Sequence, residues 1–384
     1  MWFFENHTNT VEVPRTSYKE IPGLHPNPES TLMPPQPTLG WKPERTWLFV
    51  VGTLEWQHAD SFSAFPKENR RDAALVEFFR AQGVPAQQIT YLCDRRATTT
   101  RIQQALETQL AAAGAGDLLV LYYCGHGGKY DDGAAYFASY DTDCEANLGW
   151  LVATIPATIE RHFGGARALL LADCCYSGCL ADAVAQQTRR VAYATLASSL
   201  ASELSTGNWT FTEALLAGLR GQAFVDADHD HAITLAELAA QLEASMAFAE
   251  EQLATFATTS GFNPHIVVAA AQPRTDPRIG GRVEVHASGA WYPAQIIDAR
   301  DEQLKVHYYG YEASDDEWVA PARVREAARP AYRVGTAVEV QWKRSWYPAK
   351  VVAARLGIHQ IQYDDYGPEW NEWVAGKRIR LPKR

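Results

Sequence analysis

The 384-residue sequence has few cysteines and no long apolar run. Six cysteines in a chain of this length do not suggest a disulfide framework, so catalysis or burial is the expected role of each thiol. No apolar stretch approaches the ~20 residues that a membrane-spanning helix needs. The start, Met-Trp-Phe-Phe-Glu-Asn-His, lacks the basic and long apolar regions of a signal peptide. We therefore expect a cytoplasmic protein that makes no contact with membranes.

The net charge of −10 is unevenly distributed along the chain. Residues 282–384 hold 16 basic and 14 acidic side chains, so the preceding part holds the other 19 basic and 31 acidic ones. An acidic body argues against bulk nucleic-acid binding there and favours basic partner segments. Five basic residues among the last nine keep RNA as a weaker alternative partner of the C-terminal region.

Proline and apolar residues divide the chain into an arm and a body. Eight of the twenty prolines lie in residues 1–44, which show no helical or strand period and predict an extended arm. The arm is expected to pack on the body through Trp2, Phe3 and Trp41. The body is predicted to span residues 45–275.

Within the body, short apolar runs alternate with helical patterns. Three runs are apolar on both faces, as in central strands of a parallel sheet, and they cover 47–51, 118–123 and 168–171. Helical periodicity predicts helices over 72–83, from an N-cap at Thr99, over 212–221 and after 234. Further strands are predicted at 191–197 and 265–269, the last closing the body. This alternation predicts an α/β fold with a doubly covered, mostly parallel sheet.

The last hundred residues contain an internal repeat. A shift of 55 residues superposes Trp-Tyr-Pro-Ala at 291–294 on the same four residues at 346–349. The same shift superposes Glu-Trp-Val-Ala at 317–320 on 372–375. These matches predict two copies of one small aromatic-rich β unit. We place the copies at residues 279–328 and 333–384.

Two of the predicted strands end in polar, glycine-bearing segments. One continues into Gly-His-Gly around His126, and the other into Asp-Cys-Cys-Tyr-Ser-Gly from Asp173. Because parallel sheets carry their chemistry at the carboxyl ends of strands, His126 is predicted to meet a thiol at Cys174 or Cys175. An imidazole there would deprotonate the thiol, and the amides of Gly127 and Cys175 would serve as oxyanion donors. The alternative is ordinary buried cysteines beside a hydrogen-bonded histidine.

These motifs resemble those of the caspase-like cysteine peptidases, in particular their metacaspase-like branch. His126 lies 49 residues before Cys175, and both flanking patterns match. The resemblance implies a caspase-like fold over the body, with Cys175 as nucleophile, Cys174 as its buried neighbour and no cofactor for the chemistry. It also implies that Asp173 and Asp72 line a pocket for Arg or Lys before the cleaved bond. For Asp72 the alternative is a carboxylate stabilised at a helix N-terminus.

A loop in the body has the oxygen spacing of an EF-hand calcium site. Position 6 of the loop, where a glycine is expected, is occupied by His231. The alternative is a vestigial turn whose aspartates cap the next helix. The candidate calcium ligands are Asp226, Asp228, Asp230, Ala232 and Glu237.

Each C-terminal repeat resembles a chromo-barrel, Tudor or agenet module, which implies a small SH3-like β-barrel. The resemblance implies an aromatic cage for a methylated lysine or arginine, with another peptide or RNA as alternative ligands. In the competing interpretation, the same aromatic side chains form the hydrophobic core of the small domain. The candidate cage residues are Tyr308, Tyr311, Trp318, Tyr363, Tyr366 and Trp373.

Together these features predict a cysteine endopeptidase with a Cys–His dyad. We expect it to cleave protein or peptide substrates after Arg or Lys, and to be targeted or regulated by the two barrels. The competing hypothesis is a non-catalytic reader or scaffold whose caspase-like body only binds methylated or basic partners, or RNA.

Overall fold

The computed structural model describes residues 37–187, 189–327 and 329–382. Most of the predicted arm, with Trp2 and Phe3, therefore lies outside the described residues. Trp41 packs on the body, since its indole Nε1 donates a hydrogen bond to the Val268 carbonyl at 3.0 Å and its ring lies edge-on to Phe79.

In the described part of the chain, the body contains six α-helices and eleven strands. The helices are α1 (Arg71–Ala81), α2 (Thr99–Ala112), α3 (Thr154–His162), α4 (Cys179–Ala185), α5 (Thr210–Leu219) and α6 (Leu235–Ala249). The strands are β1 (Thr46–Gly52), β2 (Ile89–Cys93), β3 (Leu118–Cys124), β4 (Gly127–Lys129), β5 (Ala135–Phe137), β6 (Trp150–Leu151), β7 (Arg167–Asp173), β8 (Ala192–Ala197), β9 (Ala232–Thr234), β10 (Thr255–Thr258) and β11 (Val267–Ala270).

The main sheet has the strand order β10-β8-β7-β3-β1-β2. All neighbours are parallel except β10, which runs antiparallel along β8. Every residue of β1 and β3 is buried, as expected for central strands that carry apolar side chains on both faces. Two small sheets, β4-β5-β6 and β9-β11, accompany it.

Helices cover both faces of the main sheet and form two hydrophobic cores. Leu75 of α1, Leu215 of α5 and Leu242 of α6 belong to the core on one face. Ile102 of α2 and Ile159 of α3 belong to the core on the other, together with α4. The predicted doubly covered, mostly parallel sheet is therefore confirmed.

The structure corrects two sequence predictions about the body. The predicted strand over 265–269 forms β11, which pairs with β9 and does not join the main sheet; the edge of that sheet is β10. The N-cap of α2 is Thr98, whose hydroxyl accepts a hydrogen bond from the Arg101 N–H. Thr99 is instead held by Asp141, to which its N–H donates at 2.8 Å.

The C-terminal repeats form two strongly curled, five-stranded antiparallel sheets. Barrel 1 comprises β12 (Arg282–Ala287), β13 (Ala290–Arg300), β14 (Gln303–Tyr308), β15 (Glu317–Val319) and β16 (Val324–Arg325). Barrel 2 comprises β17 (Ala337–Trp342), β18 (Ser345–Arg355), β19 (Ile358–Tyr363), β20 (Glu372–Ala375) and β21 (Ile379–Arg380). Their strand orders, β15-β14-β13-β12-β16 and β20-β19-β18-β17-β21, are equivalent. The two predicted SH3-like units are confirmed.

Both barrels pack along α6 of the body. Tyr309 of barrel 1 is buried there, with its hydroxyl 3.3 Å from that of Ser245. Arg355 of barrel 2 forms an ion pair with Glu243 at 2.5 Å. The barrels and the body thus belong to one compact unit.

Each helix in the described ranges is too short or too polar to cross a lipid bilayer.

Candidate active site

The site begins where β3 and β7 end side by side. These parallel strands pair in register up to Cys124 and Asp173, and the Gly125 N–H continues the ladder to the Asp173 carbonyl at 3.4 Å. The segments that follow therefore leave the sheet together. A side chain on Gly127 would collide with the Cys175 carbonyl, so glycine permits this close approach.

The adjacent cysteines occupy different environments. Cys174 is 2% exposed and lies in a hydrophobic core, where burial raises the pKa of its thiol well above the usual value. Cys175 is half-buried, and the Ser205 N–H donates a hydrogen bond to its sulfur at 3.2 Å. Tyr176 follows with a φ of 56°, a left-handed conformation that makes the turn after the strand sharp. Only the second thiol is therefore near the solvent-facing edge.

His126 is held by a backbone carbonyl and by aromatic rings. Its Nε2 lies 2.9 Å from the Ser63 carbonyl oxygen. A carbonyl only accepts, so Nε2 carries the proton and Nδ1 of the neutral ring holds the lone pair. The rings of Trp56 and Phe65 lie 4.5 and 4.6 Å from the imidazole. Burial lowers the pKa of His126, although the Ser63 bond opposes this, which favours the neutral, basic form.

No hydrogen bond joins the His126 ring to the Cys175 sulfur within residues 37–187, 189–327 and 329–382. Each group is instead bonded to the backbone of a loop, through Ser63 and Ser205. The structure thus places both groups at one sheet edge without direct contact.

Both predicted oxyanion donors are free of the surrounding ladder. Gly127 pairs with Phe137, while His126 accepts the hydrogen bond of the Ala138 N–H at 2.9 Å. Because bonded and non-bonded pairs alternate in an antiparallel ladder, the Gly127 N–H points away from β5. The Cys175 N–H donates to no protein acceptor in the described part of the chain.

An open cavity of about 370 Å³ adjoins this edge. Asp173, two residues before Cys175, and Gly125, one residue before His126, line the cavity. Cys175 and His126 themselves do not line it. Phe65, which contacts the His126 ring, also lines the cavity. The cavity contains four carboxylate-bearing residues, Glu68, Asp173, Glu213 and Glu312.

The two aspartates assigned to the substrate pocket differ in the structure. Burial raises the pKa of Asp173 to about 7, and the Thr212 hydroxyl donates to its carboxylate at 2.6 Å. Asp72 is fully buried and does not line the cavity. Its carboxylate accepts two hydrogen bonds from Arg70 and one from the Tyr91 hydroxyl. Asp72 is therefore a partner of Arg70, whereas Asp173 faces the cavity.

The calcium-like loop brings together part of its predicted ligand set. One oxygen each from Asp226, Asp228 and Glu237 lies within 4.8 Å of the others. Asp230 stays outside this group in the described chain and accepts the Ala232 N–H at 2.8 Å. His231 has a φ of 69°, the left-handed conformation for which glycine was expected. Three converging carboxylates supply part of the oxygen ligand set that a hard cation such as Ca²⁺ requires.

Barrel 2 has an aromatic pocket of about 410 Å³. Tyr363 and Tyr366 line it as predicted, with ring centroids 6.2 Å apart. Trp373 lies elsewhere, packed on the body beside Leu200 and Leu253. The other aromatic lining residues, which sequence reasoning missed, are Trp342, Tyr347 and Trp370.

In the described residues of barrel 1, the tyrosines are not surrounded by the same tryptophans. Tyr308 and Tyr311 lie together with ring centroids 6.0 Å apart, but Trp318 lies under Arg300, 4.9 Å from its guanidinium. Glu317, next to Trp318, accepts the Tyr308 hydroxyl, so strand alternation directs Trp318 to the other face. At the 55-residue offset, Trp342 and Trp370 of barrel 2 correspond to Ala287 and Asp315.

Comparison with known proteins identifies the C-terminal region. Residues 280–329 and 335–384 each match the family model of the Agenet domain. The two barrels are agenet domains. The agenet pair is similar to the structure of AGDP1 AGD34 from Arabidopsis thaliana, at 18% identity and a TM-score of 0.14, covering 28% of this chain and 82% of that one.

The body that precedes the agenet pair is similar in fold to two solved structures. Protein GSU0716 from Geobacter sulfurreducens has 14% identity and a TM-score of 0.41, covering 59% of this chain and all of that one. Caspase-1 from Spodoptera frugiperda has 12% identity and a TM-score of 0.39, covering 61% and 93%. None of the curated proteins matches the chain.

Several residues of the site came from loops that sequence reasoning did not connect to it. Ser63 contacts His126 and Ser205 contacts Cys175 from distant segments, and no local motif marks either serine. Arg70 lies two residues before Asp72, and its charge was the available signal for their pair. Glu312 carries no signal until the fold of the whole chain is known.

Proposed function

We propose that the protein is a cysteine endopeptidase that cleaves after Arg or Lys, with barrel 2 binding the substrate or an associated partner. The observation that carries the proposal is the placement of His126 and Cys175 on adjoining strand ends beside an acidic cavity. Acyl transfer needs a partly exposed thiol, an imidazole nitrogen that can accept its proton, and two backbone N–H groups that can bind the oxyanion. Cys175, Nδ1 of His126 and the N–H groups of Gly127 and Cys175 are the candidates for these roles.

In this mechanism His126 Nδ1 takes the proton of the Cys175 thiol, and the sulfur attacks the carbonyl carbon of the substrate. The Gly127 and Cys175 N–H groups stabilise the negative oxygen of the tetrahedral intermediate. The C–N bond then breaks as His126 returns the proton to the leaving amine. Water, deprotonated by His126, hydrolyses the thioester and restores the thiol. Cys175 exchanges its contact with Ser205 for one with His126 during this cycle.

The acidic cavity supports a basic residue before the cleaved bond. Its carboxylates outnumber its one guanidinium, Arg71, which forms an ion pair with Glu213 at 2.8 Å. Asp173 remains to bind an arginine or lysine of the substrate by charge-assisted hydrogen bonds. If Asp72 contributes, it acts through Arg70. Calcium takes no part in these steps; Asp226, Asp228 and Glu237 would hold it near the start of α6.

A peptide cleavage profile tests this proposal. We expect fluorogenic peptides that end in Arg or Lys to be cleaved at least about 100-fold faster than otherwise identical peptides that end in Asp, because like charges repel in the cavity. The measurement is kcat/KM for each peptide. Faster cleavage after Asp would contradict the pocket assignment, and cleavage of no peptide would contradict the enzymatic one.

Barrel 2 supplies the recognition function in this proposal. Trp342, Tyr366 and Trp370 are about half exposed, at 49%, 48% and 60%, so their faces are accessible to a ligand. Aromatic faces attract a methylated ammonium through cation–π interaction, and Glu369 in the same pocket adds a negative charge. Methylated lysine or arginine in a peptide fits this chemistry.

Removal of one pocket ring should weaken that binding. We expect Trp370→Ala to reduce affinity for a trimethyllysine peptide at least about tenfold, measured by isothermal titration calorimetry. Trp291→Ala is the matched control, since Trp291 is an exposed tryptophan of barrel 1 outside the pocket. Equal affinity of the wild type for methylated and unmodified peptides would contradict the cage.

A further inference from the structure

The acidic cavity is built from the body and from barrel 1 together. Residues 310–312, in the connection between β14 and β15, line it along with Asp173. Gly310 adopts a φ of 79°, and a side chain built on it would lie 3.5 Å from Asn208 of the body. Tyr311 is 44% exposed, so this loop presents a ring and a carboxylate, Glu312, to the cavity.

Polar contacts hold this loop against the body. The Asn69 side-chain amide donates a hydrogen bond to the Glu312 carboxylate. Near it, His307 lies 2.7 Å from Asp316 of its own barrel and 3.5 Å from Glu213 of the body. Burial opposes charge on His307, but the two carboxylates outweigh it and raise its pKa. The imidazole thus links the barrel to the wall of the cavity.

The second copy of the repeat shows which of these residues the barrel fold itself requires. At the 55-residue offset, His307, Tyr309 and Glu312 correspond to Gln362, Asp364 and Gly367. Barrel 2 forms the same five-stranded sheet without them. Barrel 1 therefore carries residues that serve its contact with the body.

The negative charge around the cavity exceeds what one basic side chain requires. Glu213 is paired with Arg71 and His307, which leaves Asp173, Glu68 and Glu312. Asp173 lies at the sheet edge beside the dyad segments. Glu68 is exposed and Glu312 half-buried, and both belong to loops at the cavity.

We propose that Glu312 of barrel 1 is a specificity-determining residue that binds a second basic side chain, so that the enzyme prefers substrates with two basic residues near the cleaved bond. This inference rests on the proposed endopeptidase function. Asp173 binds the residue before the cleaved bond, and Glu312, oriented by Asn69, binds a nearby one. Barrel 1 is then a wall of the substrate site, whereas barrel 2 keeps the aromatic pocket.

The test compares one peptide that has a single arginine, placed before the cleaved bond, with peptides that carry a second arginine at each of the three preceding positions. We expect the wild-type full chain to cleave at least one of the latter about tenfold faster. Glu312→Gln should lose that preference, measured as the ratio of kcat/KM for the two-arginine peptide over kcat/KM for the single-arginine peptide. The matched control is Glu302→Gln, because Glu302 is an exposed carboxylate of barrel 1 outside the cavity.

The outcomes separate the two proposals. Absence of cleavage of the single-arginine and all two-arginine peptides by the wild type would overturn the endopeptidase function, and this inference with it. Cleavage of these peptides without any preference for a second arginine would overturn this inference alone. So would a preference that survives in Glu312→Gln, or a general gain of activity in that variant, which would mean that the barrel loop obstructs the cavity.

Discussion

Cys175→Ala is expected to reduce peptide cleavage by at least about a thousandfold. In the proposed mechanism Cys175 supplies the sulfur that forms the thioester intermediate, so its removal stops the reaction at the first step. The side chain is half-buried and bonded to the Ser205 loop, so its loss should change the fold little. The measurement is kcat/KM for an arginine peptide, with circular dichroism to verify folding.

The neighbouring cysteine provides the control for this experiment. Cys174→Ala removes a thiol of the same kind one residue away, from a position inside a hydrophobic core. It should cost on the order of 1 kcal/mol of stability and retain most of the activity. Retention of activity in Cys175→Ala, or its loss only in Cys174→Ala, would contradict the assigned nucleophile. An iodoacetamide probe that reacts with Cys175 no faster than with free cysteine would support a non-catalytic body.

Asp173→Asn is expected to lower kcat/KM for an arginine peptide by about 10- to 100-fold at pH 8. The amide keeps the shape of the side chain and can still accept the Thr212 hydroxyl, but it loses the negative charge that we propose binds a guanidinium. Cleavage of a peptide with a neutral residue at that position should change little. Asp182→Asn is the control, since Asp182 is an exposed carboxylate of α4 that does not line the cavity.

The same residue predicts a pH dependence of specificity. Burial raises the pKa of Asp173 to about 7, with Glu250 adding to the effect and hydrogen bonds opposing it. The carboxyl is therefore mostly neutral at pH 6 and mostly ionised at pH 8. The ratio of kcat/KM for arginine over a neutral residue should rise across this interval in the wild type and stay flat in Asp173→Asn. Protonation of His126 affects both peptides alike and cancels in the ratio. A flat wild-type ratio would show that Asp173 does not bind the basic side chain.

The two agenet barrels share one pair of tyrosines but differ in the residues around it. Both copies keep the tyrosines that correspond at the 55-residue offset, Tyr308 with Tyr363 and Tyr311 with Tyr366. Only the second copy adds Trp342 and Trp370 around them. In the first copy, Tyr311 instead lines the acidic cavity at the contact with the body.

The strands and the repeats were predictable because their signals are local. The buried strands are continuous apolar runs, and the barrels are recognised from residues that match at a constant offset of 55 without a gap. The meeting of the His126 and Cys175 segments followed from one topological rule, that parallel strands present their carboxyl ends at one edge. Whether the two groups form a working dyad stays a prediction.

The errors and omissions have a common origin in long-range contacts. Trp318 and Trp373 have the same aromatic character as the rings of the pocket, but strand alternation and docking on the body place them elsewhere. The pair of Asp72 with Arg70 is local in sequence, but its burial beside the Gly52 carbonyl and the Tyr91 hydroxyl depends on the packing of α1 against β1.

By its order of residue types alone, the chain specified an acidic α/β body, two β barrels and a histidine and a thiol at strand ends. Folding settled the rest: which carboxylates face the cavity, which rings surround the pocket and which barrel lines the acidic cavity. These features depend on side chains far apart in sequence, and periodicity carries no information about which of them burial and charge bring together.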